Sequence, residues 1–355
     1  MKIFLPLLII TYLALHDSTK GQSTIVDPSP TDPKSPSFIL QFPTPNISIL
    51  NGHPEKFFQP TVSKRAISGM YGFVRSSEPE PARTFDLFHE GIDIQPTKLD
   101  ARRNPLDPVM AAAAGTVVYT NRKASRSNYG LYLMIRHQVG SWQLYTTYGH
   151  LAAIYVREGQ EVEAGQVIGK MGWTGNVGTR ERAHLHFETG FLINKDYKTW
   201  YEKVGIGFEP RPSPNEHGNF TGLNFLGVDP TALLLASNSG KALSIPEIFK
   251  TLKPAFRVRL PAQADYFDWQ KRFPEQVENG LDLPQPISWE VECSRTGLPL
   301  NFKRSDVPCQ RPELLWFNES LNRQDSFTRG LVQNVQGKRS LSRHGLKWFS
   351  QLMWH

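Results

Sequence analysis

The sequence predicts a mainly β fold, a compact antiparallel sheet or sandwich followed by a C-terminal α+β extension. Three observations carry that expectation. The 355-residue chain contains 27 Pro and 27 Gly, which favour strands, turns and loops over long helices. Its middle is a series of short apolar runs with strand-like alternation, broken by glycine. Helical spacing, by contrast, is confined to the C-terminal part. The length gives room for about two domains at roughly 150 residues each.

The chain opens with Met1-Lys2 and the apolar run Ile3–Leu15, too short to span a bilayer comfortably and typical of a secretory signal peptide. Residues 1–21 are read as that signal, with cleavage after Gly21; the lack of an A-x-A site leaves an uncleaved anchor as the alternative. No cysteine closely follows the run, which argues against a lipoprotein. Nothing later is long and apolar enough for a stable membrane span. The formal charge is +7, and losing Lys2, Lys20 and Asp17 with the signal leaves the chain basic. That charge fits either an ordinary solvated surface or attraction to an anionic cell envelope. Nucleic acid is excluded as a partner, because the Lys and Arg are scattered and the chain is exported.

Residues 22–65 are read as a Pro-rich linker or pro-segment. Its apolar patch Phe38–Phe42 is expected to belong to a plain tether, with a patch lying across the next domain as the alternative. Asn51 and His53, just ahead of the next domain, are candidates for an inhibitory latch.

Residues 66–236 carry the β pattern. Val109–Tyr119 reads as two strands around a turn, Leu131–His137 and Trp142–Tyr148 alternate as strands, and Val156–Gly169 places glycine turns between very short strands. Residues 245–355 mix a helical stretch at Ile245–Leu252 with a terminal stripe of Leu341, Leu346, Phe349, Leu352 and Met353 at helical spacing, expected to dock on the protein's own core. Cys293 and Cys309 are the only cysteines. In an oxidising compartment they are expected to pair, which contributes about 3 kcal/mol in the chain-entropy model; two free thiols are the alternative.

The chemistry concentrates in three segments, Phe88-His89-Glu90-Gly91-Ile92-Asp93-Ile94, Tyr148-Gly149-His150-Leu151 and Ala183-His184-Leu185-His186-Phe187-Glu188. Period-two alternation puts His184 and His186 on one side of a strand, with Leu185 and Phe187 facing the core. Gly91 and the β-branched Ile92 and Ile94 argue for a loop entering a strand around His89 and Asp93, with Gly91 admitting close backbone approach. Two imidazoles and one carboxylate suit zinc with three protein ligands and an open fourth position, a site that serves amide hydrolysis.

H-x-G-x-D, G-H-L after an aromatic strand, a G-Q-x-V-x-x-G-Q-x-I-G stretch and H-L-H-F-E occur in that order. Over residues 66–236 the chain resembles the lysostaphin/LytM-type zinc metallopeptidases, which cut the peptides of peptidoglycan. The resemblance implies His89, Asp93 and His186 as zinc ligands and His150 and His184 as the catalytic pair, one accepting a proton from water and the other stabilising the oxyanion. Which does which stays open. Two segments depart from the family pattern, Gln95–Asp107 and Thr179–Ala183, and are expected at the rim of the groove. His53, His137, His217, His344 and His355 read as structural or surface residues. Two other readings compete: an inactive scaffold that binds peptidoglycan or activates another hydrolase, and a carrier hairpin modified at Lys170.

Overall fold

The computed structural model describes residues 37–61, 64–73, 88–210, 213–321 and 328–355. The expected signal segment, and the Pro-rich stretch up to residue 36, lie outside them. Among the described residues no helix is long and apolar enough to cross a membrane.

The first helical turn, α1 (Pro54–Phe57), falls in the segment read as a tether. That reading is corrected by the packing. Leu40, Phe57 and Phe58 are buried, Phe38 pairs with Leu243 and Phe58 with Ile94, and Gln59 N–H donates to the Asp93 carbonyl at 2.8 Å. Prolines keep the segment irregular, but its aromatic residues remove enough apolar surface from water to fix it to the domain. His53 is on the surface, 3.1 Å from Glu55.

The strands that follow are β1 (Ile92–Ile94), β2 (Pro108–Met110), β3 (Gly115–Asn121), β4 (Leu131–Val139), β5 (Trp142–Leu151), β6 (Ala153–Ile154), β7 (Glu161–Val162), β8 (Val167–Lys170), β9 (Leu185–Leu192) and β10 (Phe225–Val228). An antiparallel sheet runs β1-β9-β5-β4-β3-β7, with β10 also on β9, and a smaller sheet runs β2-β8-β6. Gly159 and Gly165 both have φ of +79°, the left-handed turns that such short strands need and that glycine adopts without a steric penalty. Lys170 lies within β8, paired with Pro108 and Ala153, so it is not the tip of a carrier hairpin.

Helix α2 (Tyr197–Lys203) lies between β9 and β10. After β10 come α3 (Pro230–Asn238), capped by the Asp229 side chain, and α4 (Ile245–Thr251), capped by Ser244. The C-terminal part contains β11 (Phe256–Pro261), α5 (Asp268–Arg272), β12 (Ser288–Cys293), β13 (Pro299–Ser305), β14 (Glu313–Phe317), the hairpin β15 (Val332–Val335) and β16 (Lys338–Leu341), and α6 (Arg343–Leu352). Its sheet runs β13-β12-β11-β14. This extension shares the core of the first sheet: the Phe191 ring of β9 lies 5.3 Å from Phe249 and 5.5 Å from Phe273. Phe349 and Leu352 of α6 are buried, as their spacing predicts.

The expected disulfide is overturned. Cys293 and Cys309 are free thiols. Cys293 ends β12 opposite Pro299, whereas Ser288 at the other end pairs with Ser305, and its hydroxyl donates to the Val307 carbonyl. The chain after β13 therefore passes the Ser288 end of β12, away from Cys293, and the two thiols are not bonded to each other.

Candidate metal centre and catalytic cleft

The register of β1 on β9 sets Asp93 directly opposite His186. Gly91 makes that approach feasible, since a Cβ there would meet the Phe187 carbonyl oxygen at 2.5 Å and the Glu188 side chain at 2.8 Å. His89 enters from the preceding loop. One oxygen of the Asp93 carboxylate and one nitrogen from each of the His89 and His186 imidazoles lie within 4.8 Å of one another, and all three residues are buried.

The outward-facing atoms are anchored. The Nδ1–H of His89 donates to the Met70 carbonyl at 2.9 Å, so its Nε2 carries a lone pair, 3.0 Å from Asp93 Oδ1 and 3.3 Å from His186 Nδ1. His186 Nε2 is 2.8 Å from Glu188 Oε1, which points its Nδ1 at Asp93 Oδ1, also 2.8 Å away. Three lone-pair donors thus converge where only a cation or a proton can stand between them. Burial opposes a charge on His186, yet its hydrogen bonds to Asp93 and Glu188, and their negative charge, outweigh that and carry its pKa up to about 9.

His150 and His184 lie beside this group, ring centroids 4.8 Å apart. His184 Nδ1–H donates to the Arg182 carbonyl at 2.6 Å, and its Nε2 is 3.3 Å from Asp93 Oδ1. His150 follows Gly149, which is opposite His186 across β5 and β9. It has φ of +60°, a conformation that costs a non-glycine residue about 1–3 kcal/mol and recurs at functional sites. Its Nδ1–H donates to the Thr174 carbonyl at 2.9 Å. Burial, reinforced by the neighbouring His184 and His186 rings, holds its pKa well below the ordinary imidazole value. His150 is therefore a neutral imidazole with a free lone pair.

Residues 87–197 match the model of peptidase family M23, and this span holds all five residues of the centre. The chain belongs to peptidase family M23, the lysostaphin/LytM type. Over 82 residues it is 43% identical to a lipoprotein NlpD/LppB homolog of Pseudomonas aeruginosa, covering 23% of this chain and 24% of that protein. Over 100 residues it is 38% identical to the murein hydrolase activator NlpD of Escherichia coli, covering 28% and 22%. Over 92 residues it is 39% identical to the peptidoglycan DD-endopeptidase ShyC of Vibrio cholerae, covering 26% and 18%. The chain thus spans about a quarter or less of the length of these relatives. Export to the cell envelope, expected from the N-terminal apolar run, agrees with lipoproteins among them.

The M23 centre opens on a cleft of about 1200 Å³. Its lining includes His89, His186 and Glu188, together with residues 124–129, 208–210, 213 and 221–223. Asn51 and His53 do not line it. The two segments that depart from the family pattern touch each other, Arg180 donating to the Arg102 carbonyl at 2.6 Å, and the second adjoins the centre through the Arg182 carbonyl that accepts from His184. Sequence reasoning assigned no role to two groups of residues here. Glu188, 1% exposed, accepts from both His186 and the Tyr129 hydroxyl, the latter at 2.7 Å; its signal was its parity with His184 and His186 along the strand. The C-terminal extension adds Arg329, Arg343, His344 and Lys347 to the cleft, and Arg329 forms an ion pair with Glu90. Nothing local in the sequence signals that approach.

Proposed function

We propose that the chain is a zinc-dependent endopeptidase that hydrolyses peptide cross-links of peptidoglycan. The observation that carries this reading is the convergence of three lone-pair donors on His89, Asp93 and His186, each oriented by a second hydrogen bond or by strand register. Two imidazoles and a carboxylate within this spacing fit zinc, and backing of the histidines by a carbonyl and a carboxylate is the usual outer shell of such sites. Zinc bound there would supply Lewis-acid polarisation of a carbonyl and acidify water.

The remaining steps fall to the chain's own side chains. His150, kept neutral by burial with Nδ1–H spent on Thr174, accepts the proton of the attacking water. His184, its Nδ1–H tethered to Arg182 and its Nε2 3.3 Å from Asp93 Oδ1, stabilises the developing oxyanion in the imidazolium form, with a second proton on Nε2 as the hydrogen-bond donor. Both groups are fixed before substrate arrives.

A second reading, an inactive peptidoglycan-binding scaffold or an activator of another hydrolase, is favoured by the name of the E. coli relative. The intact donor set and catalytic pair support the first. The two separate on paired substitutions. His89→Ala is expected to lower both zinc occupancy and hydrolysis, whereas His150→Ala keeps zinc and lowers turnover by about 10²–10⁴. A His150→Ala protein with full metal and unchanged hydrolysis would refute the assignment.

A further inference from the structure

The C-terminal extension does more than complete the core, because its cations form part of the catalytic cleft. Arg329 lies in a left-handed backbone conformation, φ +54°, and is 7% exposed. Its Nη2 is committed to Glu90, while its Nε and Nη1 are buried without a hydrogen-bond partner among the described residues. Unspent guanidinium donors are costly in a protein interior and call for an acceptor. Arg343, the exposed first residue of α6, lines the same cleft. It has no carboxylate partner among the described residues, and its bond to the Gly207 carbonyl is long, 3.5 Å. A cation at a helix N-terminus is opposed by the helix dipole, so its position there is not explained by α6 itself. Lys347, one turn later, is paired with Glu209. Between them, His344 is held down to about 3, first by burial and then by the charges of Arg329 and Lys347. This side of the cleft thus carries three cations: Arg329 and Lys347 are paired with Glu90 and Glu209 of the same lining, and Arg343 is left without a carboxylate partner among the described residues.

We infer that this side of the cleft selects acidic peptides: Arg343, with the ion-paired Arg329 beside it in the lining, receives a free carboxylate of the substrate lying close to the amide held over His89, Asp93 and His186. A carboxylate offers the acceptor oxygens that the Arg343 guanidinium lacks among the described residues, and charge-assisted bonds of this kind are about twice as strong as neutral ones. The inference deepens the peptidase reading, on which it rests for the scissile amide; capture of the carboxylate requires only that the cleft bind the peptide.

The test uses the full chain and two synthetic cross-linked peptide dimers, one with its free carboxylates and one with each converted to the carboxamide. Calorimetric binding to the zinc-loaded His150→Ala protein is measured alongside hydrolysis by the wild type. The acidic dimer is expected to bind about ten- to a hundredfold more tightly, the range of a charge-assisted hydrogen bond. That gap should narrow markedly in a protein that also carries Arg343→Ala, an exposed position whose thermal melt reports that the fold is kept. Equal affinities for the two dimers, or a gap unchanged by Arg343→Ala, overturn the inference. Discrimination in binding without hydrolysis of either dimer would leave the inference standing and count against the peptidase reading alone.

Discussion

Glu188→Ala is expected to weaken zinc binding although Glu188 is not itself a ligand. The carboxylate oxygen Oε1 accepts from His186 Nε2 at 2.8 Å and from the Tyr129 hydroxyl at 2.7 Å. Those bonds fix the proton on the far side of the His186 ring and leave Nδ1 as the donor facing Asp93. Without Glu188, a buried imidazole N–H and a buried hydroxyl lose their partner, at about 1–3 kcal/mol each. Part of this is offset, because the carboxylate's other oxygen is buried with no hydrogen-bond partner among the described residues and its burial cost disappears with it. Zinc affinity should fall by about 10–100-fold, the effect typical of losing an outer-shell partner. Glu188→Gln, which preserves volume and one acceptor, should lose less. Tyr129→Phe, which removes only the second bond, should cost about 1 kcal/mol of stability and leave the His186 contact in place. Competition against a chromophoric chelator gives the affinity, and a thermal melt of each variant gives the stability. Unchanged zinc affinity in Glu188→Ala would refute the claim that this carboxylate sets the His186 tautomer.

Other consequences are open to direct measurement. Gly91→Ala places a methyl group 2.5 Å from the Phe187 carbonyl oxygen, so β1 and β9 must part; the melt should show a loss of about 1–3 kcal/mol, together with weaker zinc binding. His137 is buried, its Nδ1 2.8 Å from the Ala114 carbonyl and its Nε2 2.8 Å from the Thr146 hydroxyl, and burial holds its pKa down to about 4 from 6.5. The unfolded chain takes up a proton below pH 6.5 that the folded chain refuses, so this contribution is complete above pH 6.5. It is lost as pH falls towards 4, by up to ~3 kcal/mol. Denaturant midpoints from pH 7 to 4 should therefore fall less steeply in His137→Gln, and parallel curves would contradict the assignment. Thiol titration of unreduced native protein should find Cys309 reactive, and Cys293 only after unfolding, because Cys293 is buried and Cys309 partly exposed. A protein with no titratable thiol would overturn this.

The legible parts of the site were those that depend on local geometry. Alternation along H-L-H-F-E put His184 and His186 on one face, and the glycine between His89 and Asp93 pointed to close backbone approach, which the Phe187 carbonyl bears out. The same alternation extended to Glu188, but a lone carboxylate two residues further on carries no chemistry until Tyr129 is brought beside it. Residues 37–61 were misjudged because proline forbids regular structure without forbidding burial: Phe57 and Phe58, not the prolines, determine where the segment goes. The cysteine pairing failed for a related reason. Separation along the sequence permits a disulfide, whereas the β12–β13 pairing carries the chain past the Ser288 end of β12, away from Cys293. The Arg329–Glu90 contact joins the extension to the loop beside His89, and no periodicity or spacing encodes a contact between such distant residues.

The central claim is that the cluster cuts peptide bonds in peptidoglycan rather than merely holding it. Purified peptidoglycan digested with the zinc-loaded wild-type chain and, in parallel, with His150→Ala, each analysed by mass spectrometry, tests that claim most directly. The account predicts that cross-linked peptide dimers decline in the wild-type digest, with each lost dimer replaced by two monomers carrying one added water between them, and that they persist with His150→Ala. Dimers unchanged by a wild-type protein carrying stoichiometric zinc would contradict it.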